Sequence, residues 1–225
     1  MIITIDGPSG TGKTTVAKRV AERLHYVYFD TGAMYRAFTL LTLEQNIDLK
    51  DEPSIAKLLK HFQFNIAEIA GSKRYMIGKR DVSDAIRSQV VTSHVSAVSA
   101  LKQVRDALLE IQHQFGKGRN AVFEGRDLGT VVFPQAEIKV FLSAAPEVRA
   151  ERRLQEWVEK YPEMAKRADR QTILEDIVRR DTYDSTREVA PLRCPQDALQ
   201  IDTTQLSIDQ VVDQIVHHVN TKAAR

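Results

Sequence analysis

The stretch GPSGTGKTT, Gly7 to Thr15, constrains this 225-residue chain more than any other. Glycines at 7 and 12, lysine at 13 and a hydroxyl at 14 match the pattern GxxxxGK[ST]. Apolar Ile2, Ile3 and Ile5 precede it as a buried strand, and Val16, Ala17, Val20, Ala21 and Leu24 follow at helical spacing. Strand, glycine loop and helix in that order curl several backbone N–H groups inward at the positive end of a helix, which suits a polyphosphate. Gly7, Pro8, Ser9, Gly10, Thr11, Gly12, Lys13, Thr14 and Thr15 are therefore expected to cradle a nucleoside triphosphate. Lys13 supplies a mobile cation, and Thr14 offers its hydroxyl to the Mg2+ that accompanies ATP or GTP. The agreement of motif and context sets this reading against a plain glycine turn with a solvated lysine.

The remaining pattern alternates strand and helix, as a parallel sheet requires. Tyr26 to Phe29 read as a second strand, and a helix follows from about Gly32 to Asn46. After Pro53 the pattern changes. A short helix with Ile55, Leu58 and Leu59 leads into strands at Phe62 to Ile69 and Arg74 to Ile77, separated by Gly71 and Ser72, as in a small antiparallel insert. One long helix carries Leu101, Val104, Leu108, Ile111 and Phe115, and two apolar strands come next, at Ala121 to Phe123 and Ile138 to Leu142. Pro146 opens an arginine-rich helix, Pro162 interrupts the polar stretch beyond it, and a second charged helix runs from about Gln171 to Arg187. Ala198 to Ile201 is a last strand, and Ser207 with Gln210 forms a capping box for a final helix.

Composition narrows the partners. A net charge of +2, without a basic tail or stripe, gives no reason to expect nucleic acid. No apolar run reaches the ~18 residues of a membrane span, and the strand-like start has no signal-peptide layout. Cys194 is the single cysteine and the six histidines lack metal-site spacing, so a reducing cytoplasm and no cysteine or histidine metal centre are expected.

The arginines need explaining. Arg149, Arg152 and Arg153 stand at i, i+3 and i+4, where like charges cost roughly 0.2–0.5 kcal/mol per pair. An anion nearby would offset that, as in a lid folding over a triphosphate; a solvated face with Arg152 paired to Glu156 is the plainer alternative. Arg180, Asp184 and Arg187 form a second stripe, whose plainer reading is an exposed Arg180–Asp184 ion pair. Arg36, a turn beyond Asp30-Thr31-Gly32, and Arg126, just past a buried strand, sit where α/β sheets bind ligands. So many guanidiniums suggest a second, phosphorylated substrate.

IDGPSGTGKTT, FDTGAMYR, EGRDLGTVVFP and RRDTYDSTREVAPL, in this order and spacing, resemble the bacterial cytidylate kinases of the nucleoside monophosphate kinase group across nearly the whole chain. The resemblance implies an α/β fold with a P-loop NTPase-type core, a parallel β-sheet flanked by helices, a small antiparallel insert and a helical lid. Its core would be about 1–61, 87–145 and 170–225, the insert about 62–86, and the lid about 146–169. It further implies that Arg36, Arg126 and Arg187 gather round the acceptor phosphate, that Ser96, Arg105 and Asp127 read cytosine, and that Arg180 and Asp184 lie near ribose and phosphate. Asp30 and Thr31 would contact the acceptor, and Arg149, Arg152 and Arg153 would close over ATP. Lys13, Arg126, Arg187 and Arg152 would carry catalysis by neutralising charge. One departure is Glu124, where the family usually has aspartate.

The chemistry agrees with that assignment. Cytosine presents an amino donor beside two acceptors, so a carboxylate and an arginine complement it. The expected activity is ATP with CMP or dCMP giving ADP and CDP or dCDP, in a monomer that binds only small nucleotides. A kinase for another monophosphate or a small alcohol such as shikimate, and a P-loop switch protein, are the alternatives.

Overall fold

A computed structural model describes residues 1–160 and 169–223. Strand β1 (Ile2–Asp6) lies at the centre of a five-stranded sheet, with β6 (Ala121–Gly125) on one side and β7 (Ile138–Ser143) on the other, both parallel to it. β2 (Val27–Asp30) flanks β6, and β8 (Leu199–Asp202) pairs in parallel with β7, giving the order β2-β6-β1-β7-β8. Strands buried on both faces read as continuous apolar runs, which is why Ile3, Ile5, Val122, Ile138, Val140 and Leu142 could be placed from sequence. Helix α1 (Lys13–Leu24) packs Val16, Ala17, Val20 and Ala21 onto this sheet, and the C-terminal helix Ile208–Ala223 adds Val211, Val212, Ile215 and Val219. The expected capping box is present: the Ser207 hydroxyl accepts from the Gln210 amide at 3.2 Å, and the Ser207 amide donates to Gln210 Oε1 at 2.9 Å.

The chain forms two compact units, one of residues 1–29 and 116–225, the other of residues 30–115. The second takes in more than the short expected insert. It holds α2 (Thr31–Glu44), α3 (Glu52–Lys60), the antiparallel sheet β3 (Phe64–Ile69), β4 (Ser72–Ile77), β5 (Arg80–Asp81), then α4 (Gln89–Ala100) and most of α5 (Lys102–Gly116). The small sheet is joined to α2 through an aromatic ladder in which Phe38 meets Phe62 edge-on, and Phe62, Phe64 and Tyr75 stack. A two-bond fork from Arg80 to Glu44, at 3.0 and 2.8 Å, fixes the outermost strand to the end of α2.

The long helix expected to carry Leu101, Val104, Leu108, Ile111 and Phe115 is α5, and a helix not expected from sequence, α4, precedes it. Leu101 itself is extended (φ −69°, ψ 120°), and Ser88 caps the first helix through the Val91 amide. The serine- and valine-rich stretch Val90 to Ser99 is a weak helix former held by tertiary packing of Val91, Val95 and Val98, so propensity alone did not reveal α4. On the other unit, α6 (Pro146–Lys160) and the helix Arg170–Thr186 match the expected arginine-rich pair. Pro162, and the part of the expected lid at 161–168, lie outside the described residues.

The hairpin joining β3 to β4 turns through Ala70 (φ 51°) and Gly71 (φ 72°), both left-handed as a two-residue type I′ turn demands. Alanine is poorly suited to that region, whereas asparagine enters it readily. Ala70→Asn should stabilise the protein by about 0.5–1 kcal/mol in urea unfolding, and a loss of stability would contradict this turn.

Candidate active site

The glycine loop follows β1 directly. Gly7 has no room for a side chain, because a Cβ there would fall 2.1 Å from the Leu142 carbonyl oxygen of β7. Gly12 takes φ +87° immediately before α1, a conformation other residues resist. Lys13 is buried, and its ammonium donates to the Pro8 carbonyl at 2.6 Å, using one of three donors. Burial, and then the neighbouring Arg126 guanidinium, hold Lys13 well below the usual lysine range, against the pull of Glu124, Asp6 and Asp181. An anion placed here would favour its charged form. Ser9 and Thr11 are buried, with the Thr11 hydroxyl donating to the Pro8 carbonyl, while Thr15 is exposed.

Thr14 meets Glu124, which settles what the longer acid at that position touches. The Thr14 hydroxyl donates to Glu124 Oε2 at 2.9 Å, and the Tyr28 phenol donates to Oε1. With its proton committed, the Thr14 oxygen keeps lone pairs for another partner.

Just past β6, Arg126 donates through Nε to Asp184 Oδ2 and through Nη1 to the Gly7 carbonyl, each at 3.0 Å. Arg187 is held by the Ala190 carbonyl, at 2.8 Å from Nε, and by Asp127 Oδ1, at 3.2 Å from Nη2. Asp184 is also 4.0 Å from Arg187, so two guanidiniums and two carboxylates share one largely buried cluster, with Arg126 at its more exposed side beside the glycine loop. Asp184 is thus no exposed partner of Arg180: its carboxylate is buried and turned to Arg126, and Arg180 stands half-buried one turn earlier on the same helix.

The three arginines of α6 separate. Arg149, only 4% exposed, lies against the loop, donating to the carbonyls of Ala144 (2.9 Å) and Ser9 (3.0 Å) and to Asp181 (2.5 Å). Arg152 grips Thr203 at the end of β8, at 3.0 Å to its hydroxyl and 2.6 Å to its carbonyl. Arg153, and not Arg152, pairs with Glu156, at 3.3 Å. Distinct acceptors for Arg149 and Arg152 explain how three like charges share one helix.

The unit of residues 30–115 carries its own group. Asp30 caps α2 through the Ala33 amide at 2.9 Å, and Thr31 is buried at the helix start. The Arg36 guanidinium lies over Gly32, 3.1 Å from where a Cβ would stand. Arg87, which the sequence reading passed over, comes within 4.0 Å of the Asp30 carboxylate. Arg105 is buried, donates to the Ser99 carbonyl at 3.1 Å and lies over the Tyr35 ring, while Ser96 is half-buried on α4.

Asp6, another residue the sequence reading did not single out, closes β1. It is 1% exposed and its oxygens accept from the amides of Leu128 (3.0 Å) and Gly129 (2.8 Å). Burial outweighs those bonds and pushes its carboxyl up to about 7. The folded protein therefore keeps this proton up to a higher pH than the unfolded chain, so the stabilisation is full below about pH 4 and lost as pH rises through about 7. The stability of Asp6→Asn minus that of the parent should rise by roughly 3–4 kcal/mol between about pH 4 and pH 8 in urea unfolding; a flat difference would contradict the assignment.

The chain is similar to proteins of one family throughout. A family model described as cytidylate kinase matches residues 3–221. The cytidylate kinase of Protochlamydia amoebophila is 52% identical over 221 residues, covering 98% of this chain and 97% of that one. That of Bacillus subtilis is 44% identical, with the same coverage of both. Among solved structures, a gluconokinase from Sinorhizobium meliloti (TM-score 0.51, 13% identity, 97% and 91% of the two chains) and a shikimate kinase from Bacteroides thetaiotaomicron (TM-score 0.50, 14%, 98% of each) share the fold. Matched over nearly its whole length and at this level of identity, the chain belongs to the cytidylate kinase family.

Proposed function

We propose that this protein transfers the γ-phosphoryl group of ATP to CMP or dCMP, giving ADP and CDP or dCDP, and that it does so as a monomer. The observation that carries the reading is the bond from Arg126 to the Gly7 carbonyl, which ties the buried arginine cluster to the triphosphate loop. A triphosphate held by the loop and a second phosphate held by Arg126 and Arg187 would lie in reach of the same positive charges. Catalysis is then positioning together with charge neutralisation by Lys13, Arg126 and Arg187. Arg152 joins them only by exchanging its Thr203 contacts for phosphate. Arg149 and Arg153 lie on the donor side, Arg149 as a brace beneath the loop.

Asp30, Thr31, Arg36, Ser96, Arg105, Asp127, Arg180 and Asp184 serve as ligands for base, sugar and phosphate of the acceptor. The residues present fit Mg2+, since Thr14 offers a hydroxyl oxygen whose proton is already given to Glu124, and hard oxygen donors suit that ion. Its chemistry would be to neutralise phosphate oxygens. No covalent enzyme intermediate is needed, and an acceptor phosphate ionised at neutral pH requires no general base. Exclusion of water by the closing lid protects ATP from hydrolysis. Among the described residues no helix is long and apolar enough to cross a membrane.

Coupled measurement of ADP formation with CMP, UMP and AMP tests this directly. CMP should be strongly preferred, and Asp127→Ala should lower kcat/KM for CMP by about 100- to 10,000-fold while narrowing the preference over UMP. Equal use of the three acceptors, or steady ATP hydrolysis without any, would contradict the proposal.

A further inference from the structure

The loop after β6 begins with Asp127, followed by a short helical turn at Leu128–Val132. An aspartate at the start of such a turn ordinarily folds its carboxylate back to cap the first amides. Asp127 makes no such bond. Its backbone carbonyl takes the amides of Val131 (2.9 Å) and Val132 (3.2 Å), and its side chain is turned to Arg187. The two leading amides, of Leu128 and Gly129, are taken by Asp6, 122 and 123 positions earlier at the end of β1.

We propose that Asp6 is a positioning residue for base selection: by capping the turn in place of Asp127, it keeps the Asp127 carboxylate directed to Arg187 and the acceptor base. The inference rests on the assignment of Asp127 to cytosine recognition. It explains why a carboxylate stands at the buried end of β1. When ionised, both oxygens accept an N–H, whereas an amide would present one donor to a donor. The fold retains the group although its burial is costly, as the upward push on its carboxyl shows. Three other groups face this carboxylate: Lys13, whose charge favours its ionised form, Asp127, which opposes it, and the Cys194 thiol, itself pushed up by burial and by Asp6. The turn has little freedom to compensate by moving, since a Cβ at Gly129 would lie 2.9 Å from the Pro195 ring and 3.2 Å from the Thr4 hydroxyl.

In Asp6→Asn, the turn loses one cap and Asp127 is released to supply it, withdrawing from Arg187. The expected result is a fall in kcat/KM for CMP of about 10- to 100-fold, a smaller fall for UMP through the loosened Arg187, so that the CMP to UMP ratio drops at least about fivefold, and a KM for ATP within about threefold of the parent. A general loosening would move all three together, and that outcome, or an unchanged CMP to UMP ratio, overturns the inference. Asp127→Asn, assayed alongside, separates the two claims. If it also leaves the ratio unchanged, the assignment of Asp127 has failed; if it collapses the ratio and Asp6→Asn does not, only the role of Asp6 has failed. Should Asp6→Asn not fold, Asp6→Ser, which also gives up one of the two acceptors without adding bulk, takes its place, with the same expected fall in the CMP to UMP ratio and the same overturning result.

Discussion

The arrangement depends on keeping positive charge buried at the carboxyl ends of β1 and β6. Arg126 stands beside the buried Lys13 and is joined through Asp184 to Arg187, a placement that repulsion and desolvation both oppose. Asp184 and Asp127 make it tolerable by pairing with Arg126 and Arg187, and backbone carbonyls of Gly7, Pro8 and Ala190 take further N–H groups. Each guanidinium is thus oriented by two or more acceptors. For phosphoryl transfer this matters more than charge alone, because fixed cations need no reorganisation as negative charge shifts between donor and acceptor.

The parallel sheet supplies the geometry. Its order places β1 between β6 and β7, so the glycine loop and the Arg126–Asp127 segment leave neighbouring strands at the same edge. The close approach of Gly7 to the Leu142 carbonyl on the other side of β1 shows how tightly the loop is seated. Arg149 continues that support underneath, joining the Ser9 carbonyl to Asp181 and so linking the loop to the helix that carries Asp184. Arginine is suited to this, since its planar fork can serve several acceptors at once where a lysine offers a single point charge.

Much of this could be read from sequence because the signals were local. The glycine loop, the apolar strands and the Ser207–Gln210 capping box are each specified within a few residues. The second half of the site was legible only as residue types: Arg126, Asp127, Asp184 and Arg187 were expected to act, but their pairing across 58 and 60 positions leaves no local trace. The plain readings of Arg180–Asp184 and Arg152–Glu156 failed for the same reason, since helical spacing says which side chains are neighbours and not which distant acceptor competes for them. Asp6 was missed because its partners are backbone amides, which carry no residue identity. Helix α4 was missed because packing, not propensity, holds it.

The most direct test is calorimetric comparison of CMP with cytidine, binding to the parent and to Arg126→Gln. If the buried guanidiniums hold the acceptor phosphate, the advantage of CMP over cytidine should shrink at least about tenfold in the variant, with cytidine affinity changed less than about threefold. An undiminished advantage of CMP would show that its phosphate is bound elsewhere and would contradict the account.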